Sequence, residues 1–258
     1  MATTPATNQA ARDEDSSTEV SNTDVTADMP QSADRDRFTQ SEIVTIFVGP
    51  KRKKYLIHKD LLCAKSEYFR ASLSENWTEG KKNEVYWNDE CDTIEVVEEM
   101  TNWLYGRHLE LDVSKQGTLR HVLMCYSFAD KRIMVDFKNT LTDVLRASCK
   151  EKNIYGHVRE LVSARKLQLE ATPLYTFLLR SFLSGMIRNK AQWAQGGEHA
   201  KTLARHLEDP DVSKELAIEL VQEMLKYLKA PHGDPARLEG CHFHDQTAVA
   251  ARGQLSNT

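Results

Sequence analysis

The chain has 258 residues, 40% of them hydrophobic and 28% charged, with a net charge of −4 and a mean hydropathy of −0.54. That composition fits one or two globular domains with polar flanks, and no run approaches the ~20 apolar residues that a membrane span requires. With no basic excess, nucleic acid is an unlooked-for partner.

Residues 1–40 hold eight acids and three arginines, a net of −5, which leaves the remainder at +1. They carry almost no large apolar side chains, so this acidic N-terminal tail is expected to be disordered. Met1–Ala10 has neither a basic start nor an apolar run, so no signal peptide is expected. The five cysteines (Cys63, Cys91, Cys125, Cys149, Cys241) are odd in number and never spaced as CxxC. Free thiols in a reducing compartment follow, and with them an intracellular location, cytoplasm and/or nucleus.

Glu42–Val48 is a nearly continuous β-branched run, read as a strand buried on both faces. Gly49-Pro50 breaks it, and Lys51-Arg52-Lys53-Lys54 forms a basic hairpin tip before a second strand, Tyr55–Ile57. A short helix over Lys59–Lys65 follows, and Ser66 caps the next, Glu67–Ser74. Asn76–Gly80 reads as a turn and Glu84–Trp87 as a third strand. Asp92 is the expected cap of a strong helix over Thr93–Tyr105, which Gly106 stops. Leu109 and Leu111 alternate with polar residues, as in an edge strand or extended segment. Thr118–Asp130 and Val135–Cys149 then make a helical hairpin.

A second, all-helical section is expected over residues 153–230. It holds helices over Ile154–Leu167, from Pro173 behind the cap Thr172, over Ala200–Leu207, and a last one capped by Asp211. Val212, Leu216, Leu220, Met224 and Leu228 are its apolar register, and Pro231 ends it. Residues 231–258, rich in Gly, Pro and polar residues, read as a flexible tail.

By pattern alone residues 41–150 are an α+β domain. Specific residues say more. His58-Lys59-Asp60-Leu61-Leu62 with Ser66 and Tyr68-Phe69 is similar to the central signature of the BTB/POZ domain. Val48-Gly49-Pro50 resembles that family's first hairpin, and Trp77-Thr78-Glu79 the "WxE" common in fungal members. Trp103-Leu104-Tyr105-Gly106 resembles its "WLYxG" helix end. Ala129-Asp130-Lys131 resembles the "ADKY" that opens its last helix pair, with Arg132 in place of Tyr. The resemblance implies a BTB/POZ fold, a small three-stranded sheet with a helical cluster, followed here by the helical C-terminal section.

It also implies a protein-interaction module, mediating self-association or partner scaffolding without catalysis. Interface candidates are Ile43, His58, Lys59, Leu61, Leu62, Tyr68, Phe69 and Leu73. In some members an Asp of the first strand and the base after the signature His build a charged pocket at a dimer interface. Here Glu42 stands one position early and Lys59 is that base. A substrate adaptor of a cullin-3 ubiquitin ligase is the alternative, with Leu109, Leu111 and Val113 as cullin contacts, although Leu109-Glu110-Leu111-Asp112 fits the usual apolar-x-Glu motif poorly. A nuclear regulator using the Lys51–Lys54 run is a further alternative.

No enzyme chemistry and no cofactor are expected. His58 lacks a partnered nucleophile and reads as a structural residue that hydrogen-bonds the hairpin. Gly196-Gly197 lacks the surroundings of a phosphate loop. Cys241, His242 and His244 are weak zinc candidates without a second ligand pair. The Cys241–His244 stretch is also similar to C-terminal ends of fungal BTB proteins.

Overall fold

The computed structural model describes residues 41–109, 111, 117–152, 158–189, 194, 196–208, 213–229, 235–238, 240 and 242–245. The N-terminal tail, Asp211 and Val212 lie outside them.

Three strands, β1 (Ile43–Val48), β2 (Lys53–His58) and β3 (Glu84–Trp87), form one sheet in the order β2-β1-β3. β1 and β2 are an antiparallel hairpin, with Gly49 at φ +68° in its turn, and β3 runs parallel to β1 on the other side. The central strand is not buried on both faces. Val44, Ile46 and Val48 point into the core while Ile43 is exposed and Thr45 and Phe47 are half-buried. Among the described residues helices cover only one face of the sheet, so the period of two decides which β1 side chains meet water.

The signature stretch makes α1 (Lys59–Lys65) and α2 (Glu67–Ser72). The turn expected at Asn76–Gly80 is in part a helical turn, α3 (Thr78–Lys82), closed by Asn83 in the left-handed conformation. Gly80 packs so tightly that a Cβ there would lie 1.9 Å from the Ser74 carbonyl oxygen. α4 (Ile94–Leu104) buries Val96, Val97, Met100 and Leu104. Its cap is Thr93, whose hydroxyl accepts from the Val96 amide at 3.3 Å, not Asp92.

Asp92 is drawn inward instead. One carboxylate oxygen accepts from the Asp89 amide, and the other meets the Arg132 guanidinium at 2.6 Å. Both partners are buried, and Arg132 lies over the rings of Phe128 (3.9 Å to the centroid) and Trp87 (4.5 Å). A buried cation survives because it is paired and stacked.

α5 (Thr118–Lys131) and α6 (Val135–Lys152) form the helical hairpin, joined through a turn with Ile133 at φ +50°. α7 (Val158–Lys166) follows, then α8 (Pro173–Arg188), where Thr172 accepts from the Tyr175 amide and Pro173 takes the first helical position. α9 (Glu198–Leu207), α10 (Ser213–Lys229) and a 3-10 turn at Pro235–Arg237 complete the described elements. One continuous core runs from the inner sheet face (Ile46, Ile57) through Phe128 and Phe137 to Phe177 and Phe182 of α8. The C-terminal helices thus pack on the sheet domain and share its core.

Two C-terminal expectations are corrected. First, the described residues of 235–245 are not loose. Phe243 is 1% exposed and edge-on to Phe177 at 5.3 Å. Asp245 accepts from the ammonium of Lys138 at 2.5 Å and exchanges hydrogen bonds with the Asn139 amide group, and Arg146 donates to the Leu238 carbonyl. A polar stretch is fastened here by polar partners plus one aromatic plug. Second, the apolar register of α10 is only half buried: Leu216 and Leu220 enter the core, whereas Met224 and Leu228 are exposed.

Candidate interaction surface

The signature residues serve first to hold the domain together. Ser66 accepts from the Phe69 amide at 3.1 Å, capping α2, and donates to the Arg132 carbonyl at 2.6 Å, tying α2 to the α5–α6 turn. Leu61, Leu62, Phe69 and Leu73 are core residues, so of the interface candidates they have little to offer a partner that docks on the folded chain. His58 bonds the residue that ends α4. Its amide donates to the Tyr105 hydroxyl at 3.4 Å, and its Nδ1 lies 2.7 Å from the same oxygen.

Glu42 takes the acidic place beside Lys59. Its carboxylate lies 2.9 Å from the Lys59 ammonium and also accepts from the Asn83 side-chain amide at 3.2 Å. Hydrogen bonds from Lys59 and Asn83 hold the Glu42 carboxyl below the usual carboxylate range. The Lys59 backbone amide donates to the Glu42 carbonyl at 2.8 Å. That backbone bond sets Glu42 directly beside Lys59, within reach of its ammonium.

One accessible apolar surface lies on the outer face of the sheet. By register Ile43 opposes His58, Thr45 opposes Leu56, and Phe47 opposes both Lys54 and Tyr86. Leu56 is 59% exposed and Tyr86 51%. Phe47 and Tyr86 stack at 4.8 Å, with Arg52 over the Tyr86 ring at 5.6 Å. Ile43, Leu56, Phe47 and Tyr86 therefore form a diagonal apolar band. Lys51, Arg52 and Lys54 stand at one rim, and Glu84 at the other. Lys53 turns away to Glu98 of α4 at 2.7 Å, and its hydrogen bonds to Glu98 and Tyr55 raise its pKa. The basic run thus splits between a rim and an intradomain ion pair. Tyr68 is exposed elsewhere.

Phe47, Leu56 and Tyr86 do not stand out as one patch in the linear sequence. The signal was present as alternation: Leu56 sits between the inward-facing Tyr55 and Ile57.

The remaining candidates fall away from this face. Leu109 and Leu111 are buried without joining a strand, and Val113 lies outside the described residues. His244 pairs with Asp143 at 2.8 Å, His242 is exposed, and Cys241 lies outside the described residues. Among the described residues no three His, Cys, Asp or Glu side chains cluster as metal ligands, and no helix is long and apolar enough to cross a membrane. The described cysteines are free thiols, with burial pushing those of Cys63 and Cys125 up in pKa.

No curated protein matches the chain. The family described as the BTB/POZ domain matches residues 37–145. That span takes in the sheet, the signature helices, α4, α5 and most of α6, with Ser66 bonded to the α5–α6 turn. Sheet order, signature and match agree: residues 37–145 are a BTB/POZ domain, a protein-interaction module, with further helices packed onto it.

Proposed function

We propose that the chain is a non-catalytic scaffold whose BTB/POZ domain binds another protein, or a second copy of the chain, through the outer face of its sheet. The observation that carries this reading is the band of Ile43, Phe47, Leu56 and Tyr86. A solvated sheet face normally shows polar residues, and an apolar patch rimmed by charge marks a docking surface. Exposed aromatic and aliphatic anchors supply most of the energy in such contacts. Ile43, His58 and Lys59 lie on or beside this face and remain interface residues in this reading. Kinship with the fungal members is supported by Trp77-Thr78-Glu79 and Cys241-His242-Phe243-His244.

Cullin-3 recruitment has less support, because burial removes Leu109 and Leu111 as anchors. The test is affinity purification of the tagged chain from its own cells with Leu56→Glu and Tyr86→Ala variants alongside. Both substitutions are on the surface and should leave folding within about 0.5 kcal/mol. Partners that bind the sheet face should vanish from the variants. A partner set that both variants retain in full would refute the reading. Retention of cullin-3 by the unaltered chain, with loss on deleting residues 41–150, would favour the adaptor alternative.

A further inference from the structure

α10 is apolar on two sides. Its inner side sends Leu216 and Leu220 into the core. On the opposite side Ile218, Val221, Leu225 and Leu228 recur at spacings of three and four, the a, d, a, d positions of a heptad. These four are 47%, 59%, 53% and 69% exposed. A helix with apolar stripes on both sides is stable in water when both are covered, and among the described residues only one is.

The charges along the helix choose the cover. Those nearer the core are used within the chain: Glu219 pairs with Arg165 at 2.9 Å, and Glu223 with Arg180 at 3.1 Å. Along one edge of the outer stripe Glu215, Gln222 and Lys229 follow at heptad spacing, all exposed. Among the described residues neither Glu215 nor Lys229 makes an ion pair. If two such helices pair antiparallel, Ile218 stacks on the partner's Leu228 and Val221 on the partner's Leu225. In that register edge position e faces e, so Glu215 meets the partner's Lys229 and Gln222 meets the partner's Gln222. Parallel pairing would set Lys229 against the partner's Met224, leaving both charges without an opposite. The antiparallel pair is also isologous and closes on itself as a dimer.

The geometry points to a second self-association surface: α10 of one chain pairs antiparallel with α10 of another, independently of the BTB/POZ sheet. The test is sedimentation of the full chain over a wide concentration range. The unaltered chain forms dimers, and Leu225→Glu weakens association by about tenfold or more. Glu215→Lys alone places two lysine pairs in like-charge contact, and Lys229→Glu alone two glutamate pairs, so each associates more weakly with itself. Mixed together, these two variants regain association, because each then meets its opposite. Leu56→Glu leaves this association intact. A chain that stays monomeric throughout overturns the proposal. So does a dimer indifferent to Leu225→Glu, a dimer lost with Leu56→Glu instead, or a mixture of charge variants no tighter than either alone. Loss with Leu56→Glu would leave the sheet-face reading standing, so the two failures are told apart.

Discussion

The C-terminal clasp at residues 235–245 and the helix α10 before it are opposites. The clasp is polar in sequence and fastened in the fold, with Phe243 in the core and Asp245 on Lys138. α10 is strongly apolar, yet leaves Val221 and Leu228 largely in water. Hydropathy ranks the two in the wrong order. Fastening depends on whether each group finds a partner. The clasp brings its own partners: an aromatic plug, a carboxylate and backbone groups that meet Asn139 and Arg146. α10 has more apolar surface than the other described residues cover.

The contrast can be broken experimentally, and the most severe test is Phe243→Ala. Emptying a fully buried aromatic site should cost about 3–5 kcal/mol, read by urea unfolding. A loss below ~1 kcal/mol would mean that the clasp contributes little to the fold. Next comes a comparison within one helix. Leu216→Ala on the inner side should cost about 2–5 kcal/mol, whereas Leu225→Ala on the outer side should stay within about 0.5 kcal/mol under monomeric conditions. Equal costs would mean that both sides of α10 are covered.

A third test concerns charge. Burial alone would lower the Lys138 pKa, but hydrogen bonds to Asp130 and Asp245 outweigh it and raise the value above the ordinary 10.5. A raised folded pKa contributes stability that is present below about pH 10.5 and lost as pH rises through the folded value. Buried Tyr126 and Tyr175, also raised, act in the same direction. Asp245→Asn should therefore cost roughly 1–3 kcal/mol near neutral pH. Its deficit should shrink in strong alkali, once Lys138 is neutral in both proteins. Melting temperatures from neutral pH into alkali decide this, and a deficit independent of pH would rule out the ion pair as its source. The smallest effect serves as a control away from both regions. Ile133 holds φ +50° on the surface, a conformation that costs a β-branched residue about 1–2 kcal/mol. Ile133→Gly should recover part of that, by about 0.5–1 kcal/mol in thermal unfolding.

Legibility in the sequence followed the reach of the forces. The start of α8 could be read from Thr172-Pro173 because cap and helix are neighbours, and Glu84–Trp87 could be read as a strand from its own residues. The BTB/POZ domain was readable because five short local patterns, from Val48-Gly49-Pro50 to Ala129-Asp130-Lys131, follow one another in order. What failed was set from a distance. Asp92 looks like a helix cap until Arg132, forty residues on, claims it. β1 looks buried on both faces because its run of apolar residues does not say that, among the described residues, helices cover one side of the sheet alone. Of the interface candidates, those in the signature helices proved mostly core, since an amphipathic helix shows which face is apolar without showing what covers it. The outer sheet band was missed because its members come from three strands.

The bond between Lys138 and Asp245 spans 107 residues of chain. At about 5–20 residues per second, a ribosome delivers the carboxylate roughly 5–20 s after the lysine. During that interval Phe177 waits without Phe243, and of its two carboxylate partners the lysine has Asp130 alone. A nascent chain in that interval presents apolar surface that its own C-terminus later covers, the kind of surface on which chaperones act.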